Sequence, residues 1–174
     1  MRAASDRGFT VLEILMVVTL IGILAAIAVP RLLAARGSAT EAGAIGAVRA
    51  ATNGQSIFAA TCGSGYYAPS LEQLATPPLT GGTGFVSPDL SSDPSLKSGY
   101  TVTLTPGAPG AASPASCNGA AAGTLVTTFF VAASPFEDVG SRHFGSNQSG
   151  TIYQSGAAVA PTFVGAPPGA TPIQ

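Results

Sequence analysis

From Phe9 to Val29 the chain reads FTVLEILMVVTLIGILAAIAV, an unbroken apolar run with one charged side chain, Glu13. At about 1.5 Å per residue such a run makes a helix of roughly 30 Å, the thickness of a bilayer's hydrocarbon core. Only 9% of the 174 residues are charged, against about 25% in an average soluble domain. Part of the chain is therefore expected outside water. A cleavable secretory signal fits poorly, because the run is too long for a signal's apolar region and no evident mature start follows a small-residue cleavage pattern. The stretch reads as a retained membrane span.

Glu13 is the misfit. It is the only charge between Arg7 and Arg31, and an acidic side chain within a membrane helix costs on the order of 2.5 to 3.5 kcal/mol at the centre, less towards an end. Its place in the first turn brings about 0.3 to 1 kcal/mol from the positive end of the helix dipole, too little to compensate. A cation from outside this stretch of chain is the remaining physical answer. A plain single-span anchor, with Glu13 at the interface or paired to another membrane protein, is the simpler alternative.

The segment Arg7-Gly8-Phe9-Thr10-Val11-Leu12-Glu13, followed by the apolar run and Pro30, resembles the start of a type IV prepilin, the family of pilins and of type II secretion pseudopilins. The resemblance covers about residues 1–60. It implies that a membrane prepilin peptidase cuts between Gly8 and Phe9, that Phe9 becomes an N-methylated first residue, and that Glu13 is the assembly carboxylate. The cut creates an ammonium at Phe9. In a staggered bundle of copies this amine can approach the Glu13 of a neighbour, and since breaking a buried ion pair costs about 3 to 5 kcal/mol, the pairing fixes register.

The resemblance further implies an α+β, pilin-like fold, with a long amino-terminal helix packed on a small antiparallel sheet. The expected division is a leader over 1–8, a transmembrane and assembly helix over 9–36, a head over 37–160 that includes the outer half of the helix, and a Pro-rich tail over 161–174. Partners implied are other copies in a helical filament, the peptidase, and an assembly platform with its cytoplasmic ATPase. The expected location is the bacterial cytoplasmic membrane, head outside the cytoplasm, and the cell surface after assembly. Charge alone does not orient the span: Arg2 and Arg7 precede it, Arg31 and Arg36 follow it, and the positive-inside bias nearly cancels.

Up to about Ala60 only Gly22 and Pro30 interrupt a helical reading, as points of flexibility and kinking. Beyond Ser38 the segment is rich in Ala and Gly with few large apolar residues, so its amphipathic signal is weak and a marginally helical linker over 37–55 is the alternative. Cys62 and Cys117 are the only cysteines and His143 the only histidine. Two cysteines cannot close a structural zinc site and His143 has no ligand spacing to either, so a disulfide is the better reading, closing a long loop. Ser70 caps a short helix that presents Leu71 and Leu74 on one face. Strands are expected over 100–105, 124–132, 141–144 and 151–154, the last two as a hairpin about GSNQSG, burying Val102, Leu104, Leu125, Val131 and Ile152. The Pro/Gly/Ala stretch around Cys117 is expected as a flexible surface excursion, and the tail from Pro161 as too proline-rich to pair.

Several chemistries find little support. Seven basic and eight acidic residues, net −1, form no basic cluster for phosphates, so no nucleic acid partner is expected. Asp89 and Asp93, flanked by Ser and Pro, read as turn residues, and neither metal nor cofactor is expected. Secretion pseudopilins usually carry a calcium site in an acidic carboxyl-terminal loop, and no such loop follows Asp138. His143 reads as an exposed strand histidine without a nucleophile motif, so no enzyme is expected. Asn147-Gln148-Ser149 matches a glycosylation acceptor, but a hairpin turn accounts for it equally well. The expected role is a filament subunit. The alternatives are a pseudopilin or minor pilin and, in another class, a membrane-tethered binding or enzymatic domain.

Overall fold

A computed structural model describes residues 8–137 and 140–173; leader residues 1–7 and Asp138 lie outside the described residues. The chain forms two compact units that meet between Gly37 and Ser38. One helix, α1 (Val11–Thr61), belongs to both and carries Pro30 and Gly22 within its run.

In the first unit, the side chains from Val11 to Arg36 are all exposed. The segment is long and apolar enough to cross a membrane. Its first turn starts at Thr10, whose hydroxyl accepts a hydrogen bond from the Glu13 N–H at 3.2 Å. Satisfying one orphan amide in this way fixes where the helix begins.

In the second unit, the outer part of α1 packs on a six-stranded antiparallel sheet whose spatial order follows the sequence: β1 (Ser95–Lys97), β2 (Tyr100–Pro106), β3 (Phe129–Pro135), β4 (His143–Asn147), β5 (Ile152–Ser155) and β6 (Thr171–Pro172). The α+β class read from the sequence is what the structure has. The helix buries Ala44, Ala47, Val48, Ala51, Gln55 and Phe58, a three-and-four spacing that makes one face. Opposite them stand Tyr100, Val102 and Leu104 of β2, Phe129, Val131 and Ala133 of β3, Phe144 of β4 and Ile152 of β5, all buried. Cross-strand registers such as Val102↔Ala133 and Ala133↔Phe144 put these on one side of the sheet. Gly54 lets the helix approach the loop that carries Phe85: a Cβ there would lie 2.7 Å from the Phe85 carbonyl oxygen.

Gln55 is fully buried and is satisfied by the backbone of Ala68, donating to its carbonyl at 2.8 Å and accepting from its N–H at 2.9 Å. This pair fastens the turn that follows α1. Cys62 and Cys117 are joined, with Cα atoms 4.9 Å apart. The short helix α2 (Leu71–Ala75) begins at Ser70, whose hydroxyl accepts from the Gln73 N–H at 3.1 Å, and it buries Leu71 and Leu74.

Four expectations are corrected. The strand expected over 124–132 starts only at Phe129, because Val126 exchanges both backbone hydrogen bonds with Tyr67 while its neighbours Leu125 and Thr127 bond to Gly110 and Ala108. The strand expected over 141–144 runs over 143–147, so Asn147 ends a strand and opens the turn closed by the Gly150 N–H. The tail does pair. Thr171 and Pro172 lie against Gln154 and Tyr153, at the sheet edge where a residue lacking an N–H is tolerated. Finally, the excursion around Cys117 is pinned: Asn118, 3% exposed, donates to the carbonyls of Gln73 and Thr76 at 2.7 and 3.1 Å.

Candidate assembly site

The residues expected to act in processing and assembly fall in the first unit. Gly8, Phe9 and Thr10 precede the helix, and Phe9 is 78% exposed. Glu13 lies in the first turn, exposed, with a backbone hydrogen bond to Thr10 but no ion-pair partner among the described residues. Leu12, Ile14, Leu15, Met16, Val18 and Ile21 around it are each more than half exposed. Apolar area of this extent is not left bare by a chain that works in water alone. By length and composition the helix is fit to cross a membrane. Glu13 is the one charged side chain on this apolar surface before Arg31, and a carboxylate taken out of water calls for a compensating partner. The Thr-x-x-Glu spacing at the helix start is also half of a capping box, a local signal that marks the helix boundary independently of hydrophobicity.

The other candidates lie in the second unit and serve its fold. Asp89 pairs with Lys97 at 2.6 Å, and that contact holds its carboxyl below the usual range. Asp93 accepts the N–H groups of Leu71 at 3.3 Å and Leu104 at 3.2 Å, tying the start of α2 to β2; burial raises its carboxyl above the usual range despite those bonds. His143 is half-buried rather than exposed, within 3.1 Å of the Ser134 hydroxyl, and burial lowers its basicity.

A polar cluster without a sequence signature joins α1 to the sheet. Glu41, 8% exposed, accepts from the Arg142 Nε at 3.0 Å and again from its Nη2. Arg142 also donates from Nη1 to Gln154 at 2.9 Å, and its carbonyl accepts from the Tyr100 hydroxyl at 3.1 Å. The guanidinium holds the Glu41 carboxyl below its ordinary value, while burial, with Glu41 adding to it, raises the Tyr100 hydroxyl. The partners are about a hundred residues apart, so spacing gives no hint of them.

Asn147 is spoken for. It is 1% exposed, and its side-chain amide donates at 3.0 Å to both the Thr162 and the Gly165 carbonyls; Gln148 holds Phe163 likewise. The acceptor motif is thereby a clamp on residues 162–165. Val159 lies near Gly145, where a Cβ would stand 2.6 Å from the Phe130 ring and 3.2 Å from Val159.

Comparison with known proteins bears on the first unit. The sequence model of the prokaryotic N-terminal methylation motif matches residues 4–29. The chain therefore carries a type IV prepilin-like signal, and the motif implies processing by a prepilin peptidase. With the apolar helix it suggests anchoring in a membrane and supports a precursor of the pilin or pseudopilin kind. No curated protein and no solved structure matches the chain.

Proposed function

We propose that this chain is a structural subunit of a type IV pilus-like extracellular filament. In this reading it waits in the cytoplasmic membrane, loses its leader between Gly8 and Phe9, is N-methylated at Phe9, and is built into a fibre through the apolar start of α1 by an ATPase-driven platform. Its chemistry is assembly rather than catalysis. The observation that carries the reading is the bare apolar surface from Phe9 to Leu33 with Glu13 alone charged upon it up to Arg31, lying under a methylation motif. Removing the leader creates an ammonium at Phe9, and a neighbouring copy shifted by about one turn brings that group to Glu13. In a low-dielectric bundle each charge then compensates the other, and copies docked at the wrong height leave both uncompensated.

Intact mass of the envelope protein tests processing directly. The expected product starts at Phe9, carries one methyl group, and lacks the two hydrogens of the Cys62–Cys117 bond. Glu13→Val should leave insertion and processing intact yet be under-represented in fibres assembled alongside the unsubstituted chain. Incorporation in proportion to expression would refute the assembly role of Glu13. Long surface fibres containing the chain separate a pilus subunit from a pseudopilin confined to the envelope.

A further inference from the structure

Arg49 is the one basic side chain of the second unit that joins no ion pair among the described residues; Lys97 and Arg142 are taken by Asp89 and Glu41. It is exposed on α1, and Ala50 beside it forms one wall of an open groove of about 680 Å³. The opposite wall comes from α2 and the segment after it, with Ala75, Pro77, Phe85, Val86 and Pro88, so the lining is mostly apolar.

Phe136 and Glu137 present the complement. Phe136 is 43% exposed, and among the described residues it is the one aromatic ring in the set of exposed large apolar side chains of the second unit. Its N–H donates to the Gly99 carbonyl at 2.9 Å, which holds this end of β3 in place. Glu137 is exposed, joins no ion pair among the described residues, and has φ of 48°. Glycine would take that left-handed conformation at lower cost, and backbone strain of this kind is concentrated at functional sites. Glu72, the other exposed acid of the second unit without an ion pair among the described residues, follows the buried Leu71 and offers no such anchor. Gly99 follows Ser98, whose hydroxyl would stand 2.6 Å from a Cβ on Gly43 of α1. Ala50 lies seven residues further along the helix, about two turns and 10 Å. Knob and groove therefore stand at different heights on one head.

Resting on the filament reading above, we infer that Phe136 of one copy seats in the groove beside Ala50 of a neighbouring copy, and that Glu137 of the first pairs with Arg49 of the second. The two copies are displaced by about 10 Å along α1. Contact between two unlike patches is head-to-tail and leaves a free knob and a free groove at the ends, so it propagates along a fibre. The ring supplies a desolvated anchor, and the charge pair at its rim selects the orientation. One such patch is too small to hold two heads together by itself; the apolar helices bring copies to the local concentration at which it acts.

The test uses the full chain with fibres assembled in cells. Arg49→Lys should keep assembly, and a carbodiimide applied to sheared fibres should join the introduced amine of one copy to Glu137 of another, identified by mass spectrometry and missing from detergent-dispersed subunits. Adding Phe136→Ser should lower the yield of that crosslink several-fold. Arg49→Glu should leave cutting intact and lower the fibre fraction several-fold, and Glu137→Arg in the same chain should restore it. Glu72→Gln should leave the fraction unchanged. Fibres in which the introduced amine joins only Glu72 or Glu13, or no carboxylate of another copy, would overturn the inference, as would equal fibre fractions for Arg49→Glu and the unsubstituted chain. A chain that is never cut, or makes no fibres without substitution, overturns the filament reading and this contact with it. The two failures are distinguishable, since the first arises in fibres that do form.

Discussion

At the scale of single residues, the pair between Glu41 and Arg142 is the most consequential contact of the head. The side chain of Glu41 is 11% exposed and that of Arg142 47%, so the carboxylate is desolvated while the guanidinium is not. Glu41→Gln should cost about 1 to 3 kcal/mol, below the loss at a fully buried pair, measurable as a lower chemical-denaturation midpoint. The pH dependence follows. A carboxyl lowered from 4.5 by its partner contributes stability that is complete above that value and is lost as pH falls through the folded-state value. Asp93 opposes this: raised from 3.8 by burial, it contributes at low pH and loses that contribution as pH climbs through its raised value. Glu41→Gln should therefore flatten the acid limb of the stability curve, whereas Asp93→Asn should steepen it. Asn147→Ala frees two carbonyls and should speed amide exchange across 156–173 more than in β2 and β3. None of this was legible in the sequence. Nothing in the sequence singles out Glu41 or Arg142, and Asn147 reads as a turn residue, because each owes its role to a partner brought near by folding.

At the scale of elements, legibility followed the strength of the local signal. Ser70 with Leu71 and Leu74 announced α2, and the alternation of YTVTLT announced β2, since cap chemistry and a two-residue period are local. The outer half of α1 was harder to read: its buried face consists of Ala44, Ala47, Ala51 and Gln55 beside Val48 and Phe58, a stripe selected for closeness rather than hydrophobicity. The stretch from Thr124 to Thr128 has the composition of a strand, but there Tyr67 and the segment 108–110 take the backbone partners. The disulfide ties the end of α1 to that region across 55 residues of sequence. Replacing both cysteines by serine should lower stability by about 4 kcal/mol on the chain-entropy account, seen as a fall in Tm. Gly145→Val should also destabilise, because its side chain would collide with Phe130 and Val159, and a faster exchange rate at Phe130 would report the displaced segment.

At the scale of the whole molecule, the chain divides by solvent. The second unit has its own core, its own disulfide and a sheet covered on one face by helix. Residues 38–174 exported without the first unit should therefore be soluble and monomeric with the Cys62–Cys117 bond formed, as sedimentation and near-ultraviolet circular dichroism would register. The full chain should need detergent. The membrane-length helix, its lone acid and the cleavage segment were determined by the sequence itself, because hydrophobicity, charge and a linear recognition motif act along the chain and need no folded partner. The pinning of the tail as β6, the clamp at Asn147, the late start of β3 and the Glu41–Arg142 pair were decided only by the tertiary structure. Each depends on which backbone or charged group arrives from a distant part of the chain, and burial fixes that outcome after the local preferences have been spent.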